Sequence, residues 1–262
     1  MADLSLPPGA ALAGKKGLIV GIANENSIAY GCARACRALG ADLALTYLNQ
    51  KAHGFVAPLA EALGAAMLEP LDVRDMAQQA ALFERIAREW GRLDFLIHSI
   101  AFAPKEDLHG RLVDSSAEGF GAAMDISCHS FIRLARAAEP LMTEGGALIT
   151  MTYHGARKVI PNYNLMGPVK AALEASVRYL SHELGPKGIR VHAVSPGPLK
   201  TRAASGLKGF DRLLDEAVLR APSHSLVDID DVGAATAYLC TPFARLLTGN
   251  VVYVDGGFNV MG

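Results

Sequence analysis

Only four cysteines occur in 262 residues, and Cys32, Cys36, Cys128 and Cys240 include no CxxC pair. Ligand spacing is therefore missing, and no metal site is expected. A predicted helix stacks Cys32 and Cys36 as small apolar packing residues. Charge of one sign is missing too: 25 Lys plus Arg stand against 26 Asp plus Glu, for a net charge of -1. With no basic stripe to neutralise phosphates, nucleic acid is not an expected partner. No apolar run reaches membrane-spanning length. The opening MADLSLPPGAALAG has an acidic third residue, no basic start and two prolines where a signal peptide needs an apolar core. A cytoplasmic protein without a membrane partner is expected. Gly 26 and Pro 13 are near average usage, which excludes a fibrous or low-complexity chain.

The hydrophobic content is 51%, with 19% charged residues, enough for a chain of this length to bury about 70% of its unfolded surface. After a tail over 1–13, one domain is expected over 14–262. Short apolar runs at 17–22, 42–47, 66–71, 95–100, 147–152, 190–195 and 251–254 read as strands. Stretches of helical period alternate with them at 28–39, 51–63, 76–90, 118–142, 163–184 and 230–240. That alternation predicts an α/β fold: a Rossmann-like, doubly wound, parallel seven-stranded sheet with helices on both faces. Residues 196–225 are too long and mixed for a simple connection and read as a binding loop. Ligands of such sheets lie beyond the carboxyl ends of the strands, near the reversal of strand order.

The first strand runs through Gly21 into a polar loop and a helix opening at Ser27 and Ile28. A glycine permits a tight turn, Ser27 can cap the helix or donate to a phosphate oxygen, and free helix amides favour an anion. The spacing is not GxGxxG, so a plain strand-turn-helix connection fits as well. Asp72 and Val73 close the third strand, where a carboxylate beside an amide can hold adenine or cap the next helix. The second strand ends in Tyr47-Leu48-Asn49, with neither an acid for a ribose 2'-hydroxyl nor an arginine for a 2'-phosphate.

Tyr163 and Lys170 lie seven residues apart. On a regular helix that is about 700°, near two full turns, so both side chains can face one cleft about 10 Å apart along the axis. A phenol can donate to an oxygen gaining charge during hydride transfer, and an ammonium can hold ribose hydroxyls. A solvated helix edge has the same spacing, and Pro168 can kink the segment or delay its start.

Taken together, Ser27-Ile-Ala-Tyr-Gly31, His98-Ser-Ile-Ala-Phe-Ala-Pro104, the interval from Tyr153 to Tyr163, the Tyr-x-x-Met-x-x-x-Lys run at 163–170 and Val254-Asp-Gly-Gly-Phe258 resemble the FabI-type enoyl-acyl-carrier-protein reductases. These are divergent members of the short-chain dehydrogenase/reductase superfamily. Ordinary members resemble this chain less, since their catalytic lysine would fall at Gly167 and their usual serine at Tyr153. The resemblance covers 14–262. It implies reduction of the trans-2 double bond of an enoyl thioester on acyl carrier protein, with NADH rather than NADPH, in bacterial fatty acid synthesis. By the same resemblance Tyr163 hydrogen-bonds the thioester oxygen, Lys170 holds the nicotinamide ribose and Tyr153 lines the acyl pocket. Gly21, Ser27, Ile28, Asp72, Val73, Ile100, Leu199 and Thr201 are implied cofactor contacts, and Ala103 a substrate contact. Leu48 stands where members often carry glutamine against the adenosine. The segment from Thr201, with Gly206 and Gly209, resembles the substrate-binding loop, and a homotetramer is implied. Two other readings remain for the residues alone: a short-chain carbonyl reductase or alcohol dehydrogenase, and a catalytically idle dinucleotide-binding protein.

Overall fold

Runs such as GLIV, LALT and FLIH are apolar at successive positions, so both faces of each strand need cover. In the computed structural model, which describes residues 11–199, 201 and 210–261, seven strands form one sheet. They are β1 (Lys16–Val20), β2 (Asp42–Tyr47), β3 (Met67–Pro70), β4 (Phe95–His98), β5 (Gly146–Met151), β6 (Ile189–Pro196) and β7 (Val251–Val254). Every pairing is parallel, in the order β3-β2-β1-β4-β5-β6-β7. The order reverses between β1 and β4, which places a crevice at their carboxyl ends.

The helices are α1 (Ile28–Ala38), α2 (Gln50–Ala62), α3 (Met76–Trp90), α4 (Lys105–His109), α5 (Ala117–Met124), α6 (Ser130–Ala138), α7 (Met166–Leu184), α8 (Phe210–Arg220) and α9 (Ile229–Cys240). Alternate strand residues enter two cores. Leu18 and Val20 pack with Phe131, Leu134 and Leu173 of α6 and α7, whereas Ile19 packs with Cys32, Ala33 and Val232 of α1 and α9. All four cysteines are buried and free, and burial pushes the Cys32 thiol up to about 12. Among the described residues, no helix is long and apolar enough to cross a membrane.

Several boundaries differ from the sequence reading. β1 stops at Val20 and β4 at His98, which leaves Gly21 and the segment Ser99 to Pro104 in loops. The helix expected over 118–142 is interrupted by a π turn at Asp125–His129 and gives way to a 3-10 turn at Glu139–Leu141, where Pro140 cannot continue the ladder. The helix expected from Tyr163 starts at Met166. Asn162 and Asn164 take φ of 65° and 38°, values a helix cannot contain, so Tyr163 sits in a turn between them. Tyr163 and Lys170 therefore do not share one helix face. Pro168 is the third residue of α7, where a missing N–H costs no intrahelical bond and causes no kink. Helix α8 fills much of the expected loop at 196–225. Within the expected tail, Leu12 is fully buried and its amide donates to the Leu39 carbonyl at 2.9 Å. Residues 1–10 of that tail, and Gly206 and Gly209 of the loop, lie outside the described residues.

Candidate active site

At the switch point the loops after β1 and β4 touch. Gly21 has φ of +109°, and a Cβ there would lie 2.1 Å from the Ser99 carbonyl oxygen, so only glycine permits the approach. Ser27 serves the loop rather than the helix: its Oγ accepts the amides of Ala23 at 3.0 Å and Asn24 at 3.1 Å and makes no cap bond. The amides of Ile28 and Ala29 thus have no acceptor among the described residues. Open amides at the start of α1 suit a phosphate.

At the end of β3, the Asp72 carboxylate accepts Arg74 Nε at 3.0 Å and Nη2 at 2.6 Å, and the guanidinium holds its pKa below the usual carboxylate value. Asp72 is not the cap of the next helix. That role belongs to Asp75, which accepts the amides of Ala77 and Gln78. Val73 is buried, and its carbonyl accepts Arg133 Nη2 at 2.8 Å. Leu48 is 54% exposed beyond β2, Ile100 and Thr201 are half-buried, and Leu199 is buried beyond β6.

Tyr153 and Tyr163 meet just beyond β5, and Lys170 reaches the last residue of that strand, Met151. The two phenol rings lie edge to face with centroids 4.9 Å apart. Beneath them is Gly155, where a Cβ would be 2.5 Å from Tyr163 Cδ1 and 3.3 Å from Tyr153 Cδ1. Burial pushes the Tyr153 phenol up to about 12 and raises that of Tyr163 as well, helped by the neighbouring Tyr153. Both phenols are neutral donors at physiological pH, and Tyr153 Oη is buried without a partner among the described residues. Lys170 is buried, donates from Nζ to the Met151 carbonyl at 2.7 Å, and is brought down to about 8 by burial. It still carries charge at neutral pH. Ile100, Ala103 and Tyr153 are partly buried against the core on the face of the sheet that contains Tyr163.

Two supporting groups escaped the sequence reading. Buried Glu174 accepts Thr152 Oγ1 and Arg157 Nε, each at 3.0 Å, and so fastens both sides of Tyr153. Its spacing of four residues from Lys170 was the available signal. His98 is fully buried between Thr150 Oγ1 at 2.9 Å and Ser130 Oγ at 2.8 Å. Because Ser130 donates to the Ile126 carbonyl at 2.6 Å, His98 Nε2 carries the proton and Nδ1 accepts from Thr150. Burial lowers His98 to about 3, so it is a neutral strut.

Residues 21–259 match the family model described as enoyl-(acyl carrier protein) reductase. An enoyl-[acyl-carrier-protein] reductase [NADH] FabI of Rickettsia typhi is 46% identical over 251 residues, 96% of each chain. A crystal structure of the enoyl-(acyl-carrier-protein) reductase from Anaplasma phagocytophilum in complex with NAD is 47% identical, with a TM-score of 0.94 over 98% of each chain. The Bacillus cereus enoyl-acyl carrier protein reductase, crystallised with NADP+ and indole naphthyridinone, superposes with a TM-score of 0.95 at 41% identity, covering 97% of this chain and 99% of that one.

Proposed function

This chain belongs to the enoyl-(acyl carrier protein) reductase family, and from that premise we propose that it reduces the trans-2 double bond of enoyl thioesters on acyl carrier protein with NADH. The step belongs to bacterial fatty acid synthesis. The observation that carries this reading is the Tyr153–Tyr163 ring pair together with buried Lys170 held on the Met151 carbonyl, both at the carboxyl end of β5. The residues present suit a dinucleotide: a Cβ at Gly21 would fill the turn beneath it, and the Ile28 and Ala29 amides at the start of α1 have no acceptor among the described residues.

When bound, NADH supplies the hydride that adds to C3 of the substrate. The thioester oxygen then gains negative charge, and Tyr163 donates a hydrogen bond to it. A neutral phenol in an apolar pocket does this without burying a second charge. Lys170, anchored on the Met151 carbonyl, has further N–H groups for the nicotinamide ribose. Tyr153 lines the acyl pocket, as does Ala103 of the β4 loop. Gly21, Ser27, Ile28, Asp72, Val73, Ile100, Leu199 and Thr201 line the cofactor side, with Leu48 against the adenosine. Ser27 shapes the loop whose amides receive the phosphates. We assign the protein to the cytoplasm as a homotetramer, and light scattering that returns a monomer at micromolar concentration contradicts the assembly.

The deciding experiment follows NADH oxidation by absorbance with a medium-chain trans-2-enoyl thioester and, separately, a 3-oxoacyl thioester, each repeated with NADPH. Turnover of the enoyl compound with NADH is expected. Turnover of only the 3-oxo compound would move the protein to the carbonyl reductases.

A further inference from the structure

The π turn at Asp125–His129 inserts an extra residue into what would otherwise be one helix from α5 to α6, and such insertions often serve functional sites. Here its side chains and their immediate neighbours reach three strand ends. Asp125 pairs with Arg133, whose other Nη2 bond, at 2.8 Å, holds the Val73 carbonyl beyond β3. Ser130, the first residue after the turn, holds His98 at the end of β4, and through it Thr150 of β5. Between them, Ser127 is fully buried and grips a single residue of the β4 loop at both backbone groups. Its Oγ accepts the Phe102 amide at 2.8 Å and donates to the Phe102 carbonyl at 2.9 Å.

Phe102 stands between Ile100 and Ala103, which the proposed function places against cofactor and substrate. Phe102 is 46% exposed, while Ser127 holds both of its backbone polar groups. We propose that Ser127 is a positioning residue for the reaction, holding the Ile100 to Ala103 segment at the distance from Tyr163 that the substrate requires. This inference rests on the functional reading above. Removing the hydroxyl leaves an amide and a carbonyl of Phe102 without partners inside the protein, and the loop relaxes toward water to satisfy them.

The test uses the full-length enzyme with Ser127→Ala, the conservative Ser127→Thr and, as a stability control, Thr241→Ala. Thr241 is a buried residue that donates to the Tyr238 carbonyl at 2.7 Å near the amino end of β6, away from the site. Ser127→Ala is expected to lower kcat/KM for the enoyl thioester at least about tenfold and to raise the NADH Kd at least about fivefold. Ser127→Thr should recover most of both, and Thr241→Ala should lose stability yet keep both constants. The idea is overturned if Ser127→Ala stays within about twofold of wild type, or if Thr241→Ala falls with it. Should Ser127→Ala not fold, Ser127→Cys, similar in shape but weak in hydrogen bonding, is read by the same criteria. NADH titration needs no thioester. A wild type silent toward enoyl substrates would remove the functional reading, while the Kd series would still decide the role of Ser127.

Discussion

Replacing Lys170 with methionine separates what this side chain does for the fold from what it does for function. Lys170 is 4% exposed, and burial brings its pKa from 10.5 to about 8. A gap of that size corresponds to about 3 kcal/mol of destabilisation whenever the lysine is charged in both states. The penalty is complete below the folded value near 8 and disappears as pH rises toward 10.5, because there the unfolded chain binds the extra proton and stability climbs with pH. Against it stands the bond to the Met151 carbonyl, whose loss costs about 1–3 kcal/mol. Methionine has a similar length and leaves no large cavity. At pH 7 the ligand-free variant is therefore expected to match wild type or exceed it by up to about 2 kcal/mol, a few degrees in Tm for a chain of this size. Its NADH affinity is expected to fall at least about tenfold. Thermal melts at pH 7 and 9.5 with cofactor titrations test both halves, and wild type should gain on the variant at the higher pH. Unchanged NADH affinity removes Lys170 from the ribose. A stability difference that stays flat with pH refutes the burial argument.

Tyr163→Phe should lower kcat by on the order of a hundredfold while leaving NADH affinity nearly unchanged, since in the proposed reaction the hydroxyl donates where charge develops; stopped-flow rates and cofactor titration check this. Gly21→Ala should raise the NADH Kd tenfold or more, because the added carbon needs more room than the 2.1 Å to the Ser99 carbonyl and must hold φ of +109°; near-wild-type affinity would mean the loop does not cradle the dinucleotide. Tyr153→Phe should stabilise the ligand-free protein by about 1 kcal/mol, because its buried hydroxyl has no partner among the described residues, yet lower kcat/KM for the thioester. A lower Tm in that variant would point to a structural partner for the hydroxyl.

The sheet was legible because a strand buried on both faces has to be apolar at successive positions, and runs such as FLIH cannot be disguised. Strand ends were less so. The sequence pattern predicts a strand through Ile100, whereas the chain leaves the sheet after His98 to enter the loop. The start of α7 shows the same limit. Periodicity carried the helix back to Tyr163, although the asparagines on either side are the residue type that tolerates positive φ, and they do adopt it. Tyr163 and Lys170 thus come to the same strand end by different routes: one from a turn packed over Gly155, the other from the second turn of α7.

What stayed hidden is the set of bonds that holds those residues still. Glu174 was within reach, since its carboxylate falls one helical turn beyond Lys170. Ser127 was not: its partner lies 25 residues away, and its aim depends on the one-residue insertion of the π turn, which leaves the apolar period of α5 and α6 almost intact. The same holds for His98, whose partners are 52 and 32 residues distant. A buried, neutral histidine and a buried serine look like ordinary core residues in a sequence. Only the fold shows that each satisfies backbone or side-chain groups at a strand end, so that residues able to donate, bind and line are held where a reaction can use them.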